Sequence, residues 1–290
     1  MASQTLASYR LECRRLLHDA TGKFWSDTEL NDYINDGRKR SCSDTGCLRR
    51  LVTTYLSQGF EQYPIGCVSG YLITNSGTGY ANGTYALGIA AGGNSDAQAT
   101  YTCAGGIVTL ITVVATGTGY LTAPAITFPL GGGSAAAATA GIIPAVTLDI
   151  MNITPIWGNQ RIPLRYMPFT EFNARLRTFM VNPQTPAVWS RYGTSGGTAF
   201  VQPIPDQTYT TEFDTAILPN DLVNDSDVDQ IQYPFTSPVA YYACWKAKLK
   251  QQAYQEGEVF ITDYKRKILE AQASVQMRRI PNPYYGYTGA

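Results

Sequence analysis

One histidine, His18, limits what this chain can catalyse. It stands near the end of a helical stretch, where a cation favours the carbonyl end of the helix or a polar side chain simply meets water. A Ser-His-Asp triad would have to use it, and no Gly-x-Ser-x-Gly elbow presents a nucleophile. Six cysteines stand at 13, 42, 47, 67, 103 and 244 without a Cys-x-x-Cys pair. With a single histidine they form no pattern for structural zinc. Cys42 and Cys47, five apart at a helix end, read as packing residues, and free thiols suit assembly in a reducing cytoplasm. Asp225-Ser226-Asp227-Val228-Asp229 opens like a calcium-binding EF-hand loop. Gln230, however, stands where Gly is needed and Thr236 where a bidentate Glu is needed, so a solvated loop is the reading. The Gly-Thr-Gly-Tyr stretches at 77–80 and 117–120 lack the lysine of a phosphate loop and read as β-turns. No pair of carboxylates is flagged for glycoside hydrolysis. The expectation is a protein that is not an enzyme, with no catalytic residues, no cofactor and no metal.

The basic residues are more informative. Arg38, Lys39 and Arg40 end the second helical stretch, followed by Arg49 and Arg50. Lys246, Lys248 and Lys250 lie on the penultimate helix, Lys265, Arg266 and Lys267 on the last, with Arg278 and Arg279 beyond. These clusters read either as solvated faces with favourable charge at helix C-termini, or as a partner surface or ring lumen that tolerates passing DNA.

The elements that would carry these groups follow from periodicity. Leu6, Tyr9, Cys13, Leu16 and Leu17 share one stripe of a helix over about 5–19. Ser26-Asp27-Thr28-Glu29 is a capping box in which Ser26 and Glu29 satisfy each other's backbone donors. Trp25 and Leu30 form a hydrophobic staple on the helix that this box opens and that ends near Gly46. Leu51 to Ile65 reads as strand or extended chain, and strands are predicted from Ala145 to Ile150 and at Arg161–Leu164, Trp189–Val201 and Tyr209–Thr215. Thr170 to Met180 reads as a short amphipathic helix carrying Phe172, Leu176 and Phe179. Ser237 caps a penultimate helix with Pro238 at its first position, Gly257 breaks it, and a last helix runs over about 258–277. Ile261, Tyr264, Ile268, Ala271 and Val275 form its inward face.

Between these regions the composition changes abruptly. Residues 66–144 are Gly, Ala, Thr and Ser with short β-prone runs and a single charge, Asp96. Within them Ser76-Gly77-Thr78-Gly79-Tyr80 recurs as Thr116-Gly117-Thr118-Gly119-Tyr120, and the Gly93–Thr100 stretch as Gly132–Thr139, which reads as an internal repeat. The fold class expected is α+β: a helical core made of an N-terminal and a C-terminal helix pair, a small antiparallel sheet and an inserted all-β module. The domains expected are a discontinuous core, 1–65 with 145–280, the insertion at 66–144 and an extended tail at 281–290.

Composition narrows the function classes. Only 15% of the residues are charged, against about a quarter in a typical soluble chain, and Gly, Ser, Thr and 20 tyrosines stand in their place. Tyrosine suits surfaces buried at one end and wet at the other, hence large interfaces. Zero net charge argues against a free-standing nucleic-acid binder, and no Lys or Arg falls between Arg50 and Arg161. The N-terminus, polar and then amphipathic, has no apolar run like a signal peptide, and the stretch from Ile107 to Ala115 is too short to span a bilayer.

The opening Leu6-Ala7-Ser8-Tyr9-Arg10 through Leu16-Leu17-His18-Asp19, then Phe24-Trp25-Ser26-Asp27-Thr28-Glu29-Leu30-Asn31-Asp32-Tyr33-Ile34-Asn35, resembles the N-terminal helices of head-to-tail adaptor proteins of tailed bacteriophages. The resemblance continues through Tyr63-Pro64-Ile65, Leu148-Asp149-Ile150, Trp157 to Leu164, Pro168 to Phe172 and Gln202-Pro203-Ile204-Pro205. The Gly-rich segment departs from the plain adaptor pattern and looks like β-modules of other phage structural proteins. The resemblance implies a structural virion protein in the neck of the particle, assembled in the host cytoplasm as a homo-oligomeric, dodecameric ring. It implies portal and tail or nozzle proteins as partners, and double-stranded DNA passing through the lumen without sequence-specific binding or a membrane. On this reading the Pro-rich tail anchors on the portal, with Arg278 and Arg279 pairing to acidic groups and Tyr284, Tyr285 and Tyr287 as aromatic anchors. The alternative is a carbohydrate- or host-surface-binding module, which requires solvent-exposed aromatics clustered on one face of 66–144. If no metal is needed, EDTA leaves the melting temperature unchanged in a thermal-unfolding assay. A reproducible fall of the size mass action gives for a lost metal would reveal a site.

Overall fold

A computed structural model of the chain describes residues 4–90, 93, 94, 96–177, 182–193 and 197–276. The chain divides into two compact units, Met1–Leu48 with Leu218–Ala290, and Arg49–Ile217. In chain order the elements are α1 (Leu6–Leu16), α2 (Asp27–Thr45), β1 (Arg49–Leu56), β2 (Gln62–Pro64), β3 (Cys67–Thr78), β4 (Gly83–Ala86), β5 (Gly88–Ile89), β6 (Gln98–Ala104), β7 (Ile107–Ala115), β8 (Ile126–Thr127) and β9 (Ser134–Ile143). They continue with β10 (Thr147–Trp157), β11 (Gln160–Arg161), β12 (Arg165–Tyr166), α3 (Phe169–Phe172), β13 (Val188–Tyr192), β14 (Thr198–Gln202), β15 (Tyr209–Ile217), α4 (Val239–Lys250) and α5 (Tyr254–Gln276).

The expected fold class is corrected. Fifteen strands in five sheets stand against five helices among the described residues, so the chain is mostly β and is not a helical core with a small sheet. The cause is long-range pairing, which local periodicity does not reveal. β1 lies antiparallel to β15, with Arg49 opposite Ala216 and Leu56 opposite Tyr209. The alternation along β1 buries Val52, Thr54 and Leu56, which face buried Phe213, Thr211 and Tyr209 across the pair. The stretches read as a small sheet thus build two four-stranded sheets, β1-β15-β10-β11 and β12-β13-β14-β2. Both contribute to one core that includes Leu56, Tyr63, Ile153, Trp189, Val201 and Phe213. The amphipathic helix expected over 170–180 is a four-residue α3 continued by a π-turn at Asn173–Arg177.

Residues 66–144 carry a hydrophobic cluster drawn entirely from their own length, with Val68, Tyr80, Tyr101, Val108, Tyr120 and Ile142 buried. Tyr80 N donates to Gly106 O at 3.0 Å and Tyr120 N donates to Gly66 O at 2.8 Å, so the same bond recurs with the tyrosine forty residues later and the glycine forty residues earlier, exchanged between the two copies. In each Gly-Thr-Gly-Tyr stretch the tyrosine folds back over the first glycine, although the first stretch completes strand β3 and the second is a bend rather than the β-turn expected. A Cβ on Gly77 would meet Tyr80 Cε2 at 2.8 Å and the backbone of Ser134 and Ala136, and one on Gly117 would meet Tyr120 Cε2 at 2.8 Å and Ala97 N at 2.7 Å. Asp96 holds the second stretch through Thr118 N and Thr118 Oγ1, both at 2.8 Å.

In the helical unit, α1 opens with a reciprocal capping box: Thr5 N donates to Ser8 Oγ at 2.8 Å and Ser8 N to Thr5 Oγ1 at 3.3 Å. At α2 only half of the expected box forms. Ser26 Oγ accepts from Glu29 N at 3.2 Å, while the Glu29 carboxylate takes Tyr33 and Lys250 instead. Two further expectations fail at the C-terminal helices. Pro238 is the N-cap of α4 without any side-chain cap, and Ser237 only donates its backbone N–H to Pro234 O. The break between α4 and α5 falls at 251–253, where Gln252 takes a left-handed φ of 61°. Gly257 sits inside α5, its N–H on Ala253 O at 2.9 Å, because a glycine in a helix costs only about 1 kcal/mol. Leu6, Tyr9, Cys13, Leu30, Ile34, Val239, Ala243 and Cys244 form the core of this unit. No helix among the described residues is long and apolar enough to cross a membrane.

The glycine geometry yields a paired test. Gly117 and Gly132 both hold positive φ, +67° and +72°, and an alanine at either costs about 1–2 kcal/mol for that backbone alone. Nothing lies within 4 Å of a Cβ on Gly132. In thermal unfolding Gly117→Ala should therefore melt below Gly132→Ala. Equal melting temperatures would show that the stretch is not packed as described.

Candidate functional site

The acidic loop that resembles a metal site spends its carboxylates on the protein itself. Asp229, with no side-chain exposure, accepts from Tyr9 Oη at 2.7 Å, Arg38 Nη2 at 2.7 Å and Ile231 N at 2.9 Å. Asp227 accepts from the backbone N–H groups of Val223 and Asn224, both at 2.8 Å, and the Asn224 and Val223 amides hold its carboxyl below the ordinary carboxylate range. Asp221 pairs with Lys39 at 2.7 Å and Asp225 with Arg10. Burial, and then the Asp229 charge, push the Tyr9 hydroxyl far above its ordinary value, so it stays a donor. Among the described residues no group of His, Cys, Asp and Glu could hold a metal ion.

The basic clusters are likewise largely neutralised. Arg38, expected on a surface, is fully buried: besides Asp229 it donates to Asn35 Oδ1 at 3.0 Å and Asn220 O at 2.7 Å. It is a linchpin of the helical unit and leaves the surface reading. Arg40 pairs with Asp44 at 3.0 Å, Lys246 with Asp36, Lys248 with Glu256 at 2.6 Å and Lys250 with Glu29. Arg266 reaches Asp263 at 2.9 Å, and Lys267 lies 5.0 Å from the Tyr241 ring centroid. In the β unit Arg49 pairs with Asp214 across the β1–β15 ladder. The expected portal-binding residues Arg278, Arg279, Tyr284, Tyr285 and Tyr287 lie outside the described residues.

What the helices do assemble is a groove of about 660 Å³ between α2, α4 and α5. Ile261, Ile268 and Leu269 line it, and Leu269 is 65% exposed. Tyr242 stands 5.1 Å from Trp245 and 5.3 Å from Tyr264, centroid to centroid, which makes an aromatic wall. Tyr264 Oη donates to Asp44 Oδ2 at 2.8 Å, and burial followed by this bond raises its hydroxyl well above the ordinary value. Asp44 also accepts from Arg40 Nε, and this bond raises the Arg40 guanidinium in turn. The groove thus has an apolar and aromatic floor with a polar rim formed by Arg40 and Asp44. Sequence reasoning placed Tyr264 and Ile268 on the inward stripe of the last helix and did not see the groove. Its one local signal was Leu269, an apolar residue off that stripe.

In residues 66–144, Tyr71, Tyr80, Tyr101 and Tyr120 are all buried. The exposed aromatic face that a carbohydrate-binding module requires is therefore not made by these rings.

A family model described as SU10 adaptor protein matches residues 96–284, more than half of the chain. The match takes in residues 96–144 of the Gly-rich segment and leaves the two N-terminal helices outside. No curated protein matches the chain.

The buried pair can be tested directly. Asp229→Asn leaves Arg38 charged, buried and without its counter-ion, and should cost about 3–5 kcal/mol in denaturant unfolding. Arg40→Ala removes an exposed pair and should cost about 0–1 kcal/mol. Similar losses for both would show that Arg38 is not held as described.

Proposed function

The chain belongs to the SU10 adaptor protein family, and from that premise we propose that it is a non-enzymatic structural protein of a phage virion. In this reading its copies form a homo-oligomeric ring, a dodecamer, between the portal and the tail or nozzle proteins, around a channel for double-stranded DNA. The observation that carries the reading is the family match, which runs through both the β unit and the C-terminal helices.

Three features support it. The carboxylates that could have formed a site are consumed by structural bonds, and a scaffold needs no others. The lysines and arginines are mostly paired, which suits a lumen that passes DNA without holding it, since phosphate affinity follows unpaired cations. The aromatic groove offers a rigid surface of the kind subunits dock on. Residues 66–144, with their own core, act in this reading as a module made of two interlocked copies of one β motif. Ring formation itself requires a heterologous contact between copies.

The tail at 281–290 is the proposed portal anchor, with Tyr284, Tyr285 and Tyr287 as rigid amphipathic groups and Arg278 and Arg279 as partners for acidic groups. Removing 281–290 should leave the circular dichroism spectrum and melting temperature unchanged and abolish stable attachment to portal-bearing heads. If the truncated protein binds those heads with unchanged affinity, the tail is not the anchor. The α5 face bearing Lys265, Arg266 and Lys267 is then the next surface to test.

A further inference from the structure

The sulfurs of Cys42 and Cys47 lie 3.6 Å apart, although neither residue has a role in the adaptor reading. Cys42 is buried in the last turn of α2, and Cys47 is half-buried just past its end. Between them Gly46 takes a left-handed conformation, φ 59° and ψ 29°, and donates its N–H to Cys42 O at 2.8 Å. This cap folds the chain back so that two thiols five residues apart face one another. The other four cysteines, Cys13, Cys67, Cys103 and Cys244, are all buried. A disulfide bond is about 2.05 Å long, so the two sulfurs need to close by roughly 1.5 Å, within reach of side-chain rotation.

We propose that Cys42 and Cys47 form a redox modification site, which closes to an intrachain disulfide on meeting a low-molecular-weight disulfide of the glutathione class. Cys47 is the attacking thiol and Cys42 the resolving one. Exposure assigns these roles, because Cys42 is buried and Cys47 only half-buried. The hydrogen bond between the two sulfurs points the same way: it lowers the Cys47 thiol below its ordinary value and raises Cys42. In the first step the Cys47 thiolate attacks one sulfur of the small disulfide, forms a mixed disulfide and releases one small thiolate. Cys42 then gives up its proton, and its sulfur attacks Cys47 Sγ. The Cys42–Cys47 bond forms and the second small thiolate leaves. The protein loses two electrons and two protons, and the small disulfide gains them as two thiols. The product is a covalent staple across the C-terminal cap of α2, the helix that carries Arg38 and Asp44. A reducing cytoplasm keeps the site open and an oxidising surrounding closes it.

The test uses the full-length folded protein. It is incubated with oxidised glutathione, its remaining thiols are blocked with iodoacetamide in denaturant, and the tryptic peptide Ser41–Arg49, which contains both cysteines, is weighed. The expected peptide carries no alkyl group and is about 2 Da lighter than its dithiol form, the two hydrogens lost on bond formation. Prior treatment with dithiothreitol should return it to the doubly alkylated form. In Cys42→Ser the same peptide should carry one glutathione on Cys47. A wild-type peptide that stays doubly alkylated after glutathione disulfide overturns the proposal. So does a Cys47→Ser protein that accumulates glutathione on Cys42, because the roles would then be reversed.

Discussion

Arg38 and Asp229 lie 191 residues apart in the chain and meet with neither side chain exposed. Removing two charges from water costs several kcal/mol per ion unless their remaining donors and acceptors are met. Here Asp229 takes three donors, from Tyr9, Arg38 and Ile231, and Arg38 gives two further bonds to Asn35 and Asn220 while its buried Nε stays without a partner. One ion pair thereby ties α1, α2 and the 220–231 loop into a single arrangement. An apolar trio of similar volume would pack about as stably, so what the pair adds is directional bonds between three segments rather than net stability. The loop that looks like a metal site is acidic because it has this job: its carboxylates hold helices and cap turns.

The same economy of charge runs through the surface. Lys246, Lys248 and Lys250 rise along one helix, yet each finds an acid, on α2 or on α5. Exposed pairs of this kind contribute little stability. Their effect is to neutralise the charge along α4 beside the aromatic and aliphatic groove between α2, α4 and α5.

In the Gly-rich segment charge is nearly absent and order comes from backbone geometry. Tyrosines folded over glycines fill its core, and backbone bonds exchanged between 66–80 and 106–120 fasten it. Asp96, the segment's single charge, reaches across to Thr118 and holds the second Gly-Thr-Gly-Tyr stretch. Glycine in these stretches permits both the left-handed backbone and the close approach of the next strand.

The local elements were legible in the chain: the stripe of Leu6, Tyr9 and Cys13, the Ser26 cap and the Gly46 stop all announce themselves within a few residues, because helix periodicity and capping are short-range effects. The Gly-Thr-Gly-Tyr stretches share left-handed glycines, but the β-turn reading of them does not hold, because the first ends strand β3 and the second is a bend. The sheets were not legible. Whether Arg49–Leu56 pairs with its sequence neighbour or with a strand that begins at Tyr209 depends on complementary burial across more than 150 residues, and no local pattern encodes it. Nor did the cluster of charges at 38–40 reveal that Arg38 turns inward while Lys39 and Arg40 turn out. Residue types alone determined that the chain has a single histidine, six cysteines without a Cys-x-x-Cys spacing and one charge in 66–144. Tertiary structure decided which acids meet which bases, where the groove opens and that Cys42 faces Cys47, because those are distances between residues that only the folded chain brings together.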